Sequence, residues 1–275
     1  MFLVIGASGS VGREVTSQLL AAGEQVRVLA RDPARASFPA AAEVAQGDLA
    51  QPDTLAAAMK GVSAVHSLMR PGTTGHLAAA AAEAGVDRIV LMTSLAAEWG
   101  DSPLSQFHRD AEAAVSGSGV PWTFLRPTNF ASNSLAWAPA VKARGTVRAP
   151  FGESRSAVID PRDIAAVAVA ALTEPGHQGK TYPLTGPEAL SVAGQVAVIG
   201  EVLGRQVDFI EQTEAEASAE MLSRGMPAQV VESLLAGQRA GLRVAPVVHD
   251  TVERVTGRPA RHYRDWVTDH AGEFR

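Results

Sequence analysis

The chain has 275 residues, is 46% hydrophobic and carries a formal net charge of −5, with no cysteine. That is enough apolar material for a substantial core, and the mild acidity without a basic block argues against a nucleic-acid partner. The missing thiols exclude disulfides, thiol catalysis and cysteine-ligated metals, no apolar run reaches the ~18 residues of a membrane span, and no signal segment is expected, so the expected setting is the cytoplasm, away from the membrane.

Residues 2–5 form a short, wholly apolar run that suits a strand buried on both faces. Gly6, Ala7, Ser8, Gly9, Ser10, Val11 and Gly12 follow, and then Val15, Leu19 and Leu20 recur at helical spacing. Strand, glycine-rich turn and helix make the opening unit of a dinucleotide-binding fold. Gly6 permits the sharp turn, Gly9 lets backbone approach a pyrophosphate, and Gly12 lets helix and strand pack closely. The helix N-terminus adds amide donors and a partial positive charge. Residues 6–11 are therefore expected to hold the cofactor.

Gly23 ends that helix, and residues 26–29 read as a second strand followed by Arg31, Asp32 and Pro33. An acid at this strand end holds the adenosine ribose; a cation there accommodates a 2′-phosphate. Arg31 is suited to a phosphate, with Arg35 as an assistant, whereas Asp32 either holds a ribose or caps the turn that Pro33 begins. Arg31 favours NADP(H) over NAD(H).

A third strand at 44–46 runs into Gly47, Asp48 and Leu49, where the acid is expected near the adenine edge, as an N-cap for the following helix, or as both, and a helix spans 52–59. Residues 64–69 read as a fourth strand whose end, Leu68 and Met69, faces the crevice at the carboxyl edge of a parallel sheet. His66, inside that strand, reads as a packing residue. An alanine-rich helix over 75–84 precedes a fifth strand, 88–94, ending in Thr93 and Ser94. Ser94 is placed either to hold a substrate carbonyl or to brace the strand end. Asp101 or Ser102 caps a helix that begins at Pro103 and carries His108 and Glu112 four residues apart, on one face. Residues 122–126 form a sixth strand.

Beyond it the alternation loosens. Residues 130–141 read as a helix or lid, in which Phe130 and Trp137, together with Trp99, are candidates to line an apolar pocket for a flat ring. A helix over 164–172, a strand over 179–184, a helix over 192–203, a strand over 207–210 and helices at 215–224, 227–237 and 263–271 complete the chain. This divides into a nucleotide-binding core over 1–150, to which 157–186 returns, and a mainly helical cover over 187–275. The fold class is α/β, a Rossmann-type doubly wound parallel sheet with a small C-terminal substrate lobe. No ligand spacing suggests a metal.

The three glycines, Arg31-Asp32-Pro33, Gly47-Asp48-Leu49, Thr93-Ser94 and residues 118–127 together resemble the atypical short-chain dehydrogenase/reductases of the NmrA-like group. Within that group the chain is similar to bacterial NAD(P)H:quinone oxidoreductases, a likeness extending through residues 177–186 to Arg224-Gly225-Met226-Pro227. The resemblance implies an NADP-binding Rossmann core and a small C-terminal substrate lobe. The wider superfamily carries Tyr-x-x-x-Lys on the helix after the fifth strand; here that place reads His108-Arg-Asp-Ala-Glu112, and both tyrosines, Tyr182 and Tyr263, lie elsewhere. Lacking that proton donor, the site is better matched to a quinone or another electron-poor acceptor than to an unactivated ketone. His108 is the candidate donor, and Glu112, one turn on, is expected to raise its pKa; the alternative is a half-exposed helix pair without a catalytic role. The functional expectation is an NADPH-dependent oxidoreductase acting on a small molecule. A non-catalytic NADP(H) redox sensor and a biosynthetic carbonyl or imine reductase are the alternatives, and a homodimer is left open.

Overall fold

Successive strands of the chain are joined by helices, and that alternation builds one parallel sheet. The computed structural model describes every residue except Ala36, Pro71 and Asp101, and the side chain of Arg35. The expected help of Arg35 at the phosphate and the Asp101 cap lie outside the described residues.

In chain order, β1 (Phe2–Ile5), α1 (Ser10–Ala21), β2 (Val26–Ala30), β3 (Glu43–Gln46), α2 (Leu55–Met59), β4 (Ala64–Leu68), α3 (Thr74–Glu83), β5 (Arg88–Met92), α4 (Pro103–Ser116) and β6 (Trp122–Pro127) form the first part. Then follow α5 (Ala138–Arg144), β7 (Thr146–Ala149), β8 (Arg155–Ser156), α6 (Pro161–Thr173), β9 (Lys180–Leu184), β10 (Leu190–Ser191), α7 (Val192–Leu203) and β11 (Asp208–Glu211). The C-terminal helices are α8 (Glu214–Ser223), α9 (Ala228–Ala240), α10 (Thr251–Thr256), α11 (Tyr263–Asp269) and α12 (Ala271–Phe274).

The sheet runs β3-β2-β1-β4-β5-β6-β9, all parallel. Strand order reverses direction between β1 and β4, and a crevice opens there at the carboxyl ends. Period-two alternation splits the core. Val4, Val28, Val90 and Leu125 face α1 and α6, while Leu3, Ile5, Leu91 and Phe124 face α2, α3 and α4. His66 pairs in register with Val4 and Val90, so it lies fully buried on the first of these faces. A third core, around Val141, Ile199, Trp266 and Phe274, joins α5, α7, α11 and α12.

Differences from expectation have local causes. The segment over 130–141, expected as a helix or lid, is a 3₁₀ run, Ala131–Trp137, followed by α5 with Pro139 in its first turn. The fifth strand ends at Met92 rather than 94, because Ser94 turns away to cap the next 3₁₀ turn. The pairs β8–β10 and β7–β11 and the helix α10 went unpredicted. The first pair is two residues per strand, too short for an alternation to show.

Candidate active site

The turn after β1 is shaped by contacts that no side chain would permit. Gly6 adopts φ +84°, and a Cβ there would lie 2.3 Å from Leu68 Cδ2 at the end of β4. A Cβ on Gly12 would lie 2.2 Å from the Gly6 carbonyl oxygen, so α1 can seat against the turn only with glycine there. The Gly9 amide donates to that same carbonyl at 2.9 Å, and Gly9 opens α1 with no side-chain cap. Ala7 is buried, whereas Ser8, Gly9 and Ser10 are exposed, and Val11 turns inward to the core. The result is a bare backbone cradle at a helix N-terminus, which fits a pyrophosphate.

Arg31 is exposed just past β2 and makes no ion pair with any described residue. Asp32 commits an oxygen to the Ala34 amide at 3.1 Å, the capping geometry rather than an open acceptor. Asp48, half-buried, accepts from the Ala50 amide at 3.0 Å, and its own amide donates to Thr54 Oγ1. Leu49 is buried and its carbonyl meets the His76 ring at 2.8 Å, which fixes the β3 end against α3. Met69 is anchored through its amide to the Met92 carbonyl, and both Leu68 and Met69 remain half-buried on the crevice wall. A bare turn, an exposed cation and apolar strand ends thus lie along one sheet edge.

At the other half of that edge His108 and Glu112 interact electrostatically but share no hydrogen bond among the described residues. Both side chains are buried, not half-exposed, but Glu112 is committed elsewhere. Its Oε1 accepts from Thr93 Oγ1 at 2.7 Å and from Arg126 Nε at 2.9 Å, and its Oε2 accepts from Arg126 Nη2 at 2.6 Å. Arg126 also reaches Glu98 at 2.9 Å, and these carboxylates hold its guanidinium more firmly protonated than usual. Burial pushes the His108 pKa below its ordinary value; Glu112 pulls it up and Arg126 pushes it further down. Glu112 thus acts in the expected direction, but desolvation outweighs it and the net shift favours the neutral imidazole. Its Nδ1 is buried without a hydrogen-bond partner among the described residues.

Ser94 Oγ accepts from the Ala96 amide at 3.1 Å, so it braces the strand end while keeping its own proton available to donate. Phe130 packs at the edge of the sheet core and Trp137 at the edge of the third core, so the two fall in different clusters. Phe130 is linked by a bridge to Ile159, and Ser132 Oγ meets Ser10 Oγ at 3.3 Å across the mouth of the cradle. Sequence reasoning missed Arg126. Its signal was a cation closing an otherwise apolar strand, opposite an acid on the preceding helix.

The model of the NAD(P)H-binding family matches residues 6–175. The chain belongs to that family. This NAD(P)H-binding protein is 44% identical to the (4-alkanoyl-5-oxo-2,5-dihydrofuran-3-yl)methyl phosphate reductase of Streptomyces griseus, over 100% of this chain and 99% of the relative. It is 39% identical to the NAD(P)H azoreductase of Xenophilus azovorans, again over 100% and 99%. Its fold superposes on the NADPH-dependent quinone oxidoreductase of Escherichia coli complexed with NADPH, with a TM-score of 0.83, 26% identity, and 98% and 99% of the two chains covered. The protein is an NAD(P)H-dependent oxidoreductase of the atypical short-chain type. None of its helices is long and apolar enough to cross a membrane among the described residues.

Proposed function

We propose that the protein uses NADPH to reduce a small electron-poor acceptor, quinone-like or otherwise conjugated, whose added charge is delocalised. Bound NADPH supplies the hydride. Residues 6–11 hold the pyrophosphate, Arg31 the 2′-phosphate, Asp48 and Leu49 flank the adenine, and Leu68 and Met69 support the nicotinamide side. Ser94 offers its hydroxyl proton to an acceptor oxygen and His108 a neutral ring, while Glu112 acts through Arg126 and Thr93 to position the ends of β5 and β6.

The observation that carries this reading is that neither His108 nor Glu112 on α4 is a ready proton donor. Burial favours the neutral form of His108, and Glu112 accepts hydrogen bonds on both oxygens. A ketone needs a proton as its alkoxide forms, and positioned acids are worth roughly 10²–10⁴ in rate. A quinone yields a far weaker base and needs little such help. The relatives' named substrates share the property: a 4-alkanoyl-5-oxo-2,5-dihydrofuran carries its double bond conjugated to two carbonyls, and an azo link is itself electron-poor.

The test is NADPH oxidation followed by absorbance with quinones, an azo dye, an alkanoyl dihydrofuranone and cyclohexanone. We expect turnover of the activated acceptors at least about 100-fold above the ketone. Comparable ketone turnover would overturn the proposal. Tight NADPH binding without turnover on any acceptor would favour the redox-sensor reading.

A further inference from the structure

Among the described residues Trp99 is the one exposed aromatic side chain, at 54%. Its backbone is nevertheless fixed. The Trp99 amide donates to Ala96 at 3.1 Å, its carbonyl accepts from Ser105 Oγ at 3.1 Å, and Arg109 Nη1 bonds the carbonyls of Ala97 and Gly100 on either side. It stands on the β5–α4 connection, a few residues beyond Ser94, and therefore at the carboxyl edge where the crevice opens.

The opposing surface comes from α9. Val231 and Leu235 bury themselves against α8 and Phe151. The neighbouring stripe, Val230, Leu234 and Gly237, recurs at i, i+4 and i+7. Gly237 lies against the indole, where a Cβ would approach Trp99 Cζ3 to 3.5 Å, while Leu234 and Val230 stay 39% exposed. The glycine lets α9 approach that edge of the ring, and the rest of the indole stays exposed. Beside it the exposed Glu98 shares Arg126 with the buried Glu112, two carboxylates on one guanidinium, so the rim disfavours an anionic ring. A backbone-anchored, exposed indole, tied to the end of β5 through the Thr93–Glu112–Arg126–Glu98 chain, has the chemistry of a recognition surface rather than of scattered exposure.

We propose that Trp99, with Leu234 and Val230, forms a shelf on which a neutral, flat aromatic ring of the acceptor stacks, outside the nicotinamide end of the crevice. The assignment rests on the reductase reading above and adds a substrate preference to it: fused or aryl-substituted acceptors over small single rings.

Calorimetric titration of the NADP⁺-loaded protein with 2-methyl-1,4-naphthoquinone and with 1,4-benzoquinone tests it, since the oxidised cofactor permits binding without turnover. Trp99→Ala is expected to weaken the naphthoquinone about 3- to 10-fold and leave benzoquinone unchanged, with Trp99→Phe retaining most of the affinity. Gly237→Leu, whose side chain would extend against the indole, is expected to give the same selective loss. Equal effects on both quinones, no effect, or no binding of the naphthoquinone would overturn the shelf. So would unchanged quinone affinity with a shift in sedimentation, which would make the surface an interface between copies. Trp99-dependent binding without wild-type turnover on NADPH would sink the reductase reading and leave the shelf standing.

Discussion

Arg31 and Arg126 show how far a single residue can be interpreted from its place in the chain. Arg31 is legible because the end of the second strand has a fixed meaning in this fold, and the structure leaves its guanidinium exposed without an ion pair among the described residues. Charge-assisted hydrogen bonds are worth roughly 1.5–3 kcal/mol, so Arg31→Ala is expected to weaken NADPH about 10- to 100-fold and NADH by less than about 2-fold. Equilibrium titration with both nucleotides measures this, and parallel losses would remove the 2′-phosphate from Arg31. Arg126 was not legible. Helical spacing pairs Glu112 with His108, whereas the true partner lies 14 residues along the chain, on an adjoining strand. Periodicity reports neighbours within an element, and a buried carboxylate takes whichever cation the tertiary fold brings closest.

At the scale of elements, the glycine turn separates affinity from stability. A Cβ at position 9 would meet the Gly6 carbonyl at 3.3 Å, a tight contact that a small shift relieves, but it would project into the cradle. A Cβ at position 12 would sit 2.2 Å from that oxygen, which cannot be relieved without moving α1 off β1. Gly9→Ala is therefore expected to lower NADPH affinity at least about 10-fold while costing less than about 1 kcal/mol of stability. Gly12→Ala is expected to cost about 2 kcal/mol or more. Denaturant melts with and without NADPH distinguish them; a Gly12→Ala protein as stable as wild type would mean that helix and turn are not locked together. The alternation of strand and helix was legible over the sheet because each element is long enough to show its period. The later segments were less so. Ser191 and Gly204 mark the ends of α7 plainly, as N-cap and as an αL terminus, but β8 and β10 exist only because they pair with each other.

Across the whole molecule, two buried groups set opposing responses to acid. Burial lowers the His66 pKa to about 4, and burial again raises that of Asp163, on α6, to about 6. As pH falls below 6.5 the unfolded chain protonates His66 while the native protein stays neutral there until about 4, so stability is lost across that window. As pH falls below about 6 the native protein takes up a proton at Asp163 that the unfolded chain does not accept until about 3.8, so stability is gained. Each effect is about 2 kcal/mol between pH 7 and 4.5, and together they nearly cancel. Asp163→Asn should strip away the gain and make the protein more acid-sensitive than wild type. His66→Leu should strip away the loss and make it less so. Paired denaturant melts at the two pH values measure the difference directly, and variants whose pH slopes match wild type would show that neither group titrates where its burial places it. His66 was legible as a packing residue from its strand, but the consequence was not. It depends on Asp163, a helix-start residue almost a hundred positions away, placed under the same sheet by a crossover that no local pattern encodes.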